Sequence, residues 1–252
     1  MSVNGNLATL GDKAELSDVL RLDGKVVRLN HRPESKHRVL AYHKPEGQIC
    51  SRSDPEGRPT IFDNLPRLRS GRWIAVGRLD INTSGLILLT TDGDLANRLM
   101  HPSSEVEREY AVRVLGEVTE STKRALRKGV ELEDGTASFN SIRDAGGQGA
   151  NHWYHVILNE GRNREVRRLW ESQGLKVSRL ARVRYGPIVL ARSIKPGTWE
   201  ELLRRDIDKL RQLVGLPRVK DLVEDATPEK RKTSRTTKRQ PRARQSVRRK
   251  SK

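Results

Sequence analysis

Cysteine occurs once in 252 residues, at Cys50. A lone cysteine excludes a disulfide framework and a cysteine-built zinc site, and it fits a reducing, cytoplasmic setting. Aromatic side chains make up only 4% of the chain. No run of about 18 apolar residues is present, so no membrane-spanning helix is expected. No basic amphipathic stretch with a Trp/Phe/Leu face stands out either, so no membrane partner is expected. Met1 to Leu10 has neither a basic nor an apolar region of the kind a secretion signal carries. The phosphate-cradling patterns G-x-x-x-x-G-K-[ST] and G-x-G-x-x-G are both missing. The six histidines do not cluster. His152 and His155 are close, but an odd spacing on a strand sends them to opposite faces. No cofactor and no metal is expected.

Acid is also scarce: 32 Asp and Glu against 50 Lys and Arg give a formal charge of +18. Such an excess points first to nucleic acid and a salt-dependent grip on phosphates. Its densest part is the end of the chain. Residues 228–252 hold twelve basic side chains and one acid, Glu229, so +11 of the +18 lies there and +7 elsewhere. Val247 is the one sizeable aliphatic side chain in that segment. It buries too little to offset chain ordering, so a disordered RNA tether is expected.

The remainder reads as short strands and tight turns. Asn4-Gly5 and Asp23-Gly24 are hairpin dipeptides, and Val26 and Val27 begin a strand-like run. The main body starts at Arg38. Val39 to Tyr42 lead into a turn at Lys44–Gly47, and Asp54–Gly57 is a second turn. Trp73–Val76 and Leu86–Thr91 read as strands. Asp94 is placed to cap a short helix carrying Leu95, Leu99 and Met100. Tyr110, Val112 and Val114 alternate as a strand. Val118–Gly129 reads as a helix, and Trp153–Leu158 as a strand. Asn163–Ser172 is predicted helical, with Asn163 as its cap. Leu180–Leu190 and Glu200–Val214 follow as strand and helix. Strands outnumber helices and no βαβ rhythm appears, which predicts an α+β fold with a mainly antiparallel sheet.

Two stretches carry chemistry. In "WIAVGRLDINTSGLILLTTDGDLANRL", Arg78 and Asp80 sit in a short loop between two apolar runs. A turn aspartate is the ordinary reading. A loop held by two core strands also suits a positioned catalytic group. In "NEGRNREVRRLWESQG", Arg162, Arg164, Arg167 and Arg168 crowd a helix start, where the dipole disfavours cations. That pattern suits binding of phosphate or of a carboxylate, and Arg167 is the candidate to keep Asp80 ionised. Tyr110 reads equally as core packing or as a stacking platform for a base.

Together, "GRLD" with "TSGLILLTTDGDLANRL", "REYAVRV" and "EGRNREVRRLWESQG" resemble the RsuA/RluB family of ribosomal RNA pseudouridine synthases. "KPEG", "DPEGRPTIFDNLP" and "VSRLARVRYGPIVL" extend the resemblance across Val39 to Val214. The large-subunit branch is the nearer. The resemblance implies two subdomains sharing a mainly antiparallel mixed sheet, with the active site in the cleft between them. It implies catalytic roles for Asp80, Tyr110 and Arg167. It adds Val166 beneath the base, and Arg78, Arg162, Arg164, Arg168 and Lys44 as substrate-binding residues. The implied partner is ribosomal RNA, of the 23S type, acted on by a monomer without a cofactor. The implied boundaries are 1–30 for an incomplete S4-like RNA-binding piece, 36–222 for the catalytic domain and 223–252 for the basic tail. A non-catalytic ribosome-assembly factor and a synthase for a small-subunit site are the alternatives. A DNA-binding protein has no helix-turn-helix, zinc-finger or basic-zipper pattern to support it.

Overall fold

The computed structural model describes residues 1–9, 18–27 and 37–219. The basic tail lies outside the described residues. Near the start, β1 (Ser2–Val3), β2 (Asn6–Leu7), β3 (Leu20–Leu22) and β4 (Lys25–Val27) form a small sheet in the order β2-β1-β3-β4. Both hairpin dipeptides are real turns. Asn4 and Gly5 have φ of 51° and 91°, and Asp23 and Gly24 have 50° and 76°, the left-handed pair that a two-residue hairpin needs. Val26 and Val27 lie in β4, as expected, and residues 28–36 are outside the described residues.

The body is built on a nine-stranded sheet. Its elements are β5 (Val39–Lys44), β6 (Ile74–Ala75), β7 (Ser84–Thr90), α1 (Gly93–Met100), β8 (Arg108–Leu115) and α2 (Glu120–Lys128). The hairpin β9 (Val130–Leu132) and β10 (Gly135–Ala137) stands beside the sheet. Then come β11 (Ser141–Gln148), β12 (Asn151–Leu158), α3 (Glu165–Glu171), β13 (Lys176–Tyr185), β14 (Ile188–Val189), β15 (Trp199–Glu201) and α4 (Arg204–Leu213). The sheet order is β11-β12-β8-β13-β7-β5-β15, with β14 beside β13 and β6 beside β7. Every pair is antiparallel except β13 with β7. The expected α+β fold with a mainly antiparallel mixed sheet is what forms.

The two halves of the sheet are covered differently. In β7, Ile87 and Leu89 face one core while Leu86 and Leu88 face the other. Burial on both sides is why this strand reads as an unbroken apolar run. The first core takes Leu126 of α2 and Val166, Leu169 and Trp170 of α3. The second takes Leu95 and Leu99 of α1 and Ile207 and Leu210 of α4. In β8 only Tyr110, Val112 and Val114 are buried, and the alternate residues are half-exposed.

Several local expectations change. Helix α1 is capped by Asp92, whose side chain accepts from the Leu95 N–H, and not by Asp94. Thr119 caps α2, which is shorter at both ends than expected. Helix α3 begins at Glu165 after Arg164 in the left-handed region (φ 48°), so Asn163 does not cap it. The strand expected at Leu180–Leu190 starts earlier, at Lys176, and breaks after Tyr185, with β14 folding back. Glu200 and Glu201, expected as the start of a helix, pair with β5 together with Trp199, and helix α4 starts only at Arg204. At residues 200–201 strand pairing with β5 outweighs a weak helical pattern.

Candidate active site

The loop from Gly77 to Thr83 leaves β6 and enters β7. Gly77 makes the turn with φ of 78°. Leu79 is buried in the first core, and this anchors the middle of the loop. Each carbonyl from 79 to 83 then finds a donor. The Cys50 thiol donates to Leu79 O at 3.4 Å. The Lys44 ammonium donates to Asp80 O at 3.0 Å, Ile81 O at 3.4 Å and Thr83 O at 2.8 Å, as well as to Pro45 O. Gly47 N–H also reaches Ile81 O, and Thr83 N–H reaches Asp80 O. The Arg167 guanidinium donates to Asn82 O at 2.8 Å and to Val177 O at 3.1 Å. A loop so fully bonded has little freedom left.

Where the loop meets β13, a glycine is required. Ser84 and Gly85 pair in parallel with Ala181 and Arg182. Gly85 has φ of +104°, and a Cβ there would sit 2.2 Å from Arg182 O. The "TSG" segment is therefore the contact that joins the two halves of the sheet.

The Asp80 side chain is half-buried and, among the described residues, makes no hydrogen bond or ion pair. It opens into a cleft of about 280 Å³, whose walls include Tyr110, Val166, Arg108, Arg182 and Tyr185. The structure thus brings together Asp80, Tyr110, Val166 and Arg78 from three separate stretches of sequence. Arg78 is exposed and has no ion-pair partner among the described residues. Arg162 and Arg164 also line the cleft.

Lys44 and the other arginines are placed differently from expectation. Lys44 is 0% exposed and binds only backbone oxygens, so it holds the loop and does not face the cleft. Arg167 is likewise buried and turned to Asn82 and Val177. No ion pair within 4 Å joins it to Asp80 among the described residues. Burial lowers the pKa of Lys44 and of Arg167, and the Asp80 carboxylate is among the charges that push each back up. Arg162 is taken by Glu160 and by the carbonyls of Asp134, Gly135 and Thr136. Arg168 makes a two-pronged pair with Asp134 at 2.8 Å. These two staple α3 to the β9–β10 turn. Arg164 is the one of the four left exposed, with Glu171 at 3.7 Å.

Two cleft residues had no signal in the sequence. Arg182 is 3% exposed, donates to Leu86 O and has a buried Nη2 without a partner. Its guanidinium and that of Arg108 both lie 5.2 Å from the centre of the Tyr185 ring. Arg182 stands opposite Tyr110, and Leu180 opposite Val112, so the pairing of β13 with β8 sets Arg182 on the cleft face.

Residues 38–172 match the RNA pseudouridylate synthase family. The chain is 60% identical over 219 residues to a protein of Haemophilus influenzae named ribosomal large subunit pseudouridine synthase B, covering 86% of this chain and 61% of that protein. A protein of the same name from Pasteurella multocida is 58% identical, with 92% and 68% covered. Another from Salmonella typhimurium is 60% identical, with 86% and 75% covered. Against the Haemophilus protein, then, the chain spans less than two thirds of the relative's length. A crystal structure of a pseudouridylate synthase superposes with a TM-score of 0.63 at 26% identity, covering 83% of this chain and 87% of that one.

Proposed function

The chain belongs to the RNA pseudouridylate synthase family, and from that premise we propose that it converts a uridine of large-subunit ribosomal RNA into pseudouridine. The names of its relatives support that substrate class. One observation carries the reading. The five carbonyls of residues 79–83 are all bound inside the protein, whereas the Asp80 carboxylate is left free at the cleft. A backbone held this firmly around an unpartnered carboxylate suits a positioned catalytic group.

In the proposed reaction the target uridine leaves its stack to enter the cleft. Its N1–C1′ bond breaks, the uracil turns, and C5 bonds to C1′. C5 loses its proton and N1 ends protonated, so the product is an isomer and no oxidant or phosphoryl donor is consumed. Asp80, ionised, attacks C1′ or removes the 2′ proton. Tyr110 stacks on the uracil and is placed to take the C5 proton, and Val166 packs the opposite face. Arg78 fills the vacated stack or holds the adjacent phosphate, and Arg164 binds phosphate at the rim. Arg167 and Lys44 act through the loop as positioning residues. In this reading residues 1–30 are part of an S4-like RNA-binding unit, 36–222 the catalytic domain and 223–252 a basic RNA tether. A cytoplasmic location goes with ribosomal RNA as substrate. Among the described residues no helix is long and apolar enough to cross a membrane.

The test is chemical mapping of pseudouridine in ribosomal RNA incubated with Asp80→Asn. The variant is expected to lose roughly 10³-fold or more in single-turnover rate, with RNA affinity within about threefold of the parent. Undiminished product removes Asp80 from the chemistry. No product from the parent chain on any ribosomal RNA removes the proposed activity.

A further inference from the structure

The cleft uses one face of β8, β12 and β13. Among the described residues, nothing covers the other face of these strands. Helices α2 and α3 pack on the cleft side, and α1 and α4 pack behind β5 and β7. An antiparallel sheet often leaves one face to water, and such faces normally mix both signs of charge. Here the register sets Trp153 beside Arg113, and Arg113 beside Arg179. One step along the strands, His155 faces Ala111, with Arg143 on its other side. Glu109 faces Ile157 and Arg184, and Lys176 faces Leu115.

Glu109 is the one acid in these rows, and it is already saturated. His155 lies 2.7 Å from it, Arg184 3.0 Å and Arg143 3.8 Å. Among the described residues, Arg113, Arg179 and Lys176 have no carboxylate within 4 Å. The Trp153 ring is half-exposed, with no cation and no second ring stacked on it among the described residues. Leu115, two residues beyond Arg113 on β8 and opposite Asn151 and Lys176, is 42% exposed. The Trp153–Arg113–Arg179 row spans two strand spacings, about 10 Å. An unstacked indole next to unpaired cations is the composition of a surface for single-stranded nucleic acid.

We propose that this outer face docks a single-stranded segment of the substrate RNA, outside the nucleotide held in the cleft. A base stacks on Trp153, and Arg113, Arg179 and Lys176 bind its phosphates. The chain's own basic C-terminal segment is excluded as occupant by like charge. The proposal takes the class of ligand from the reading above, but its test does not depend on turnover.

The test uses the full chain and a fluorescein-labelled 20-nucleotide polyuridylate, with anisotropy titrations at several salt concentrations. Arg113→Glu with Arg179→Glu should weaken binding at least tenfold. It should also lower the salt slope by about 1.4, at about 0.7 per phosphate contact for single strands. Trp153→Ala should weaken binding about tenfold without changing the slope. A control of equal charge change on exposed α2, Arg124→Glu with Arg127→Glu, should have less than a third of the first effect. A 4-thiouridine version of the probe should photocross-link to the peptide holding Trp153. Pseudouridine formation at saturating enzyme should stay within threefold in all three variants. Equal losses in the control and in the outer-face variant would overturn the proposal, as would unchanged affinity. So would loss of binding to phosphatidylglycerol vesicles with RNA binding intact. Outer-face binding with no pseudouridine formed by the parent would count against the proposed activity alone.

Discussion

Glu165 sits at the first turn of α3 with 3% of its surface exposed. One carboxyl oxygen accepts from the Arg162 N–H at 3.0 Å, and the other has no partner. Burial pushes this carboxyl up from 4.5 to about 7, the contact with Glu160 adds to the rise, and the Arg162 N–H opposes it. A carboxyl with a raised folded-state pKa holds its proton more tightly folded than unfolded. Stability therefore falls as pH climbs from about 4.5 through 7. Glu165→Gln keeps the shape and removes the titration. At pH 8 the variant should be more stable than the parent by on the order of 2 kcal/mol, with little difference at pH 5. Urea midpoints at the two pH values check this, and a gain of equal size at both would contradict it.

At the scale of elements, the loop of residues 77–83 and helix α3 depend on each other through cations that point inward. The sequence pattern at α3 suggested four arginines waiting for an anion. Two of them instead close the gap to the β9–β10 turn, because its carbonyls and Asp134 offer acceptors that no local pattern reveals. Arg167 and Lys44 spend their donors on the loop backbone. Lys44→Met would strip Thr83 O and Pro45 O of the donor that Lys44 supplies and loosen Asp80. Displacement of a catalytic group by about 1 Å costs on the order of 10² in rate. The variant is therefore expected to lose about 100-fold in kcat, with RNA affinity within threefold. Stopped turnover and filter binding separate the two quantities. A large loss of affinity with kcat preserved would place Lys44 on the substrate instead.

Across the whole molecule, charge and layering are distributed unevenly. Residues 228–252 carry +11 of the +18, so their removal should weaken RNA binding and flatten its salt dependence by several units of slope. Titrations of the shortened and full chains between 50 and 300 mM salt, roughly the range where phosphate contacts dominate, read this directly. An unchanged slope would deny the segment a role as tether. The sheet itself is dry on both faces at β5 and β7 and wet on one face at β8 and β12. That asymmetry places the cleft on one side of the outer half and leaves the Arg113–Trp153 face on the other.

Much of this was present in the order of residues alone. The "NG" and "DG" dipeptides specify their hairpins, because a left-handed pair of residues is a local demand. The unbroken apolar run of β7 declares a strand buried on both sides, and Asp80 and Tyr110 stand in motifs that carry the family resemblance. What the sequence could not decide were matters of distance between remote segments. Lys44 and Asp80 are 36 positions apart, yet their contact turns an apparent ligand into a support. Arg182 reaches the cleft because β13 pairs with β8 so that it stands opposite Tyr110, and Gly85 is needed only because β13 crosses at that point. Local preference is written in neighbours a few residues apart. Which donor meets which carbonyl depends on how the strands pair, and that is settled only when the whole sheet closes.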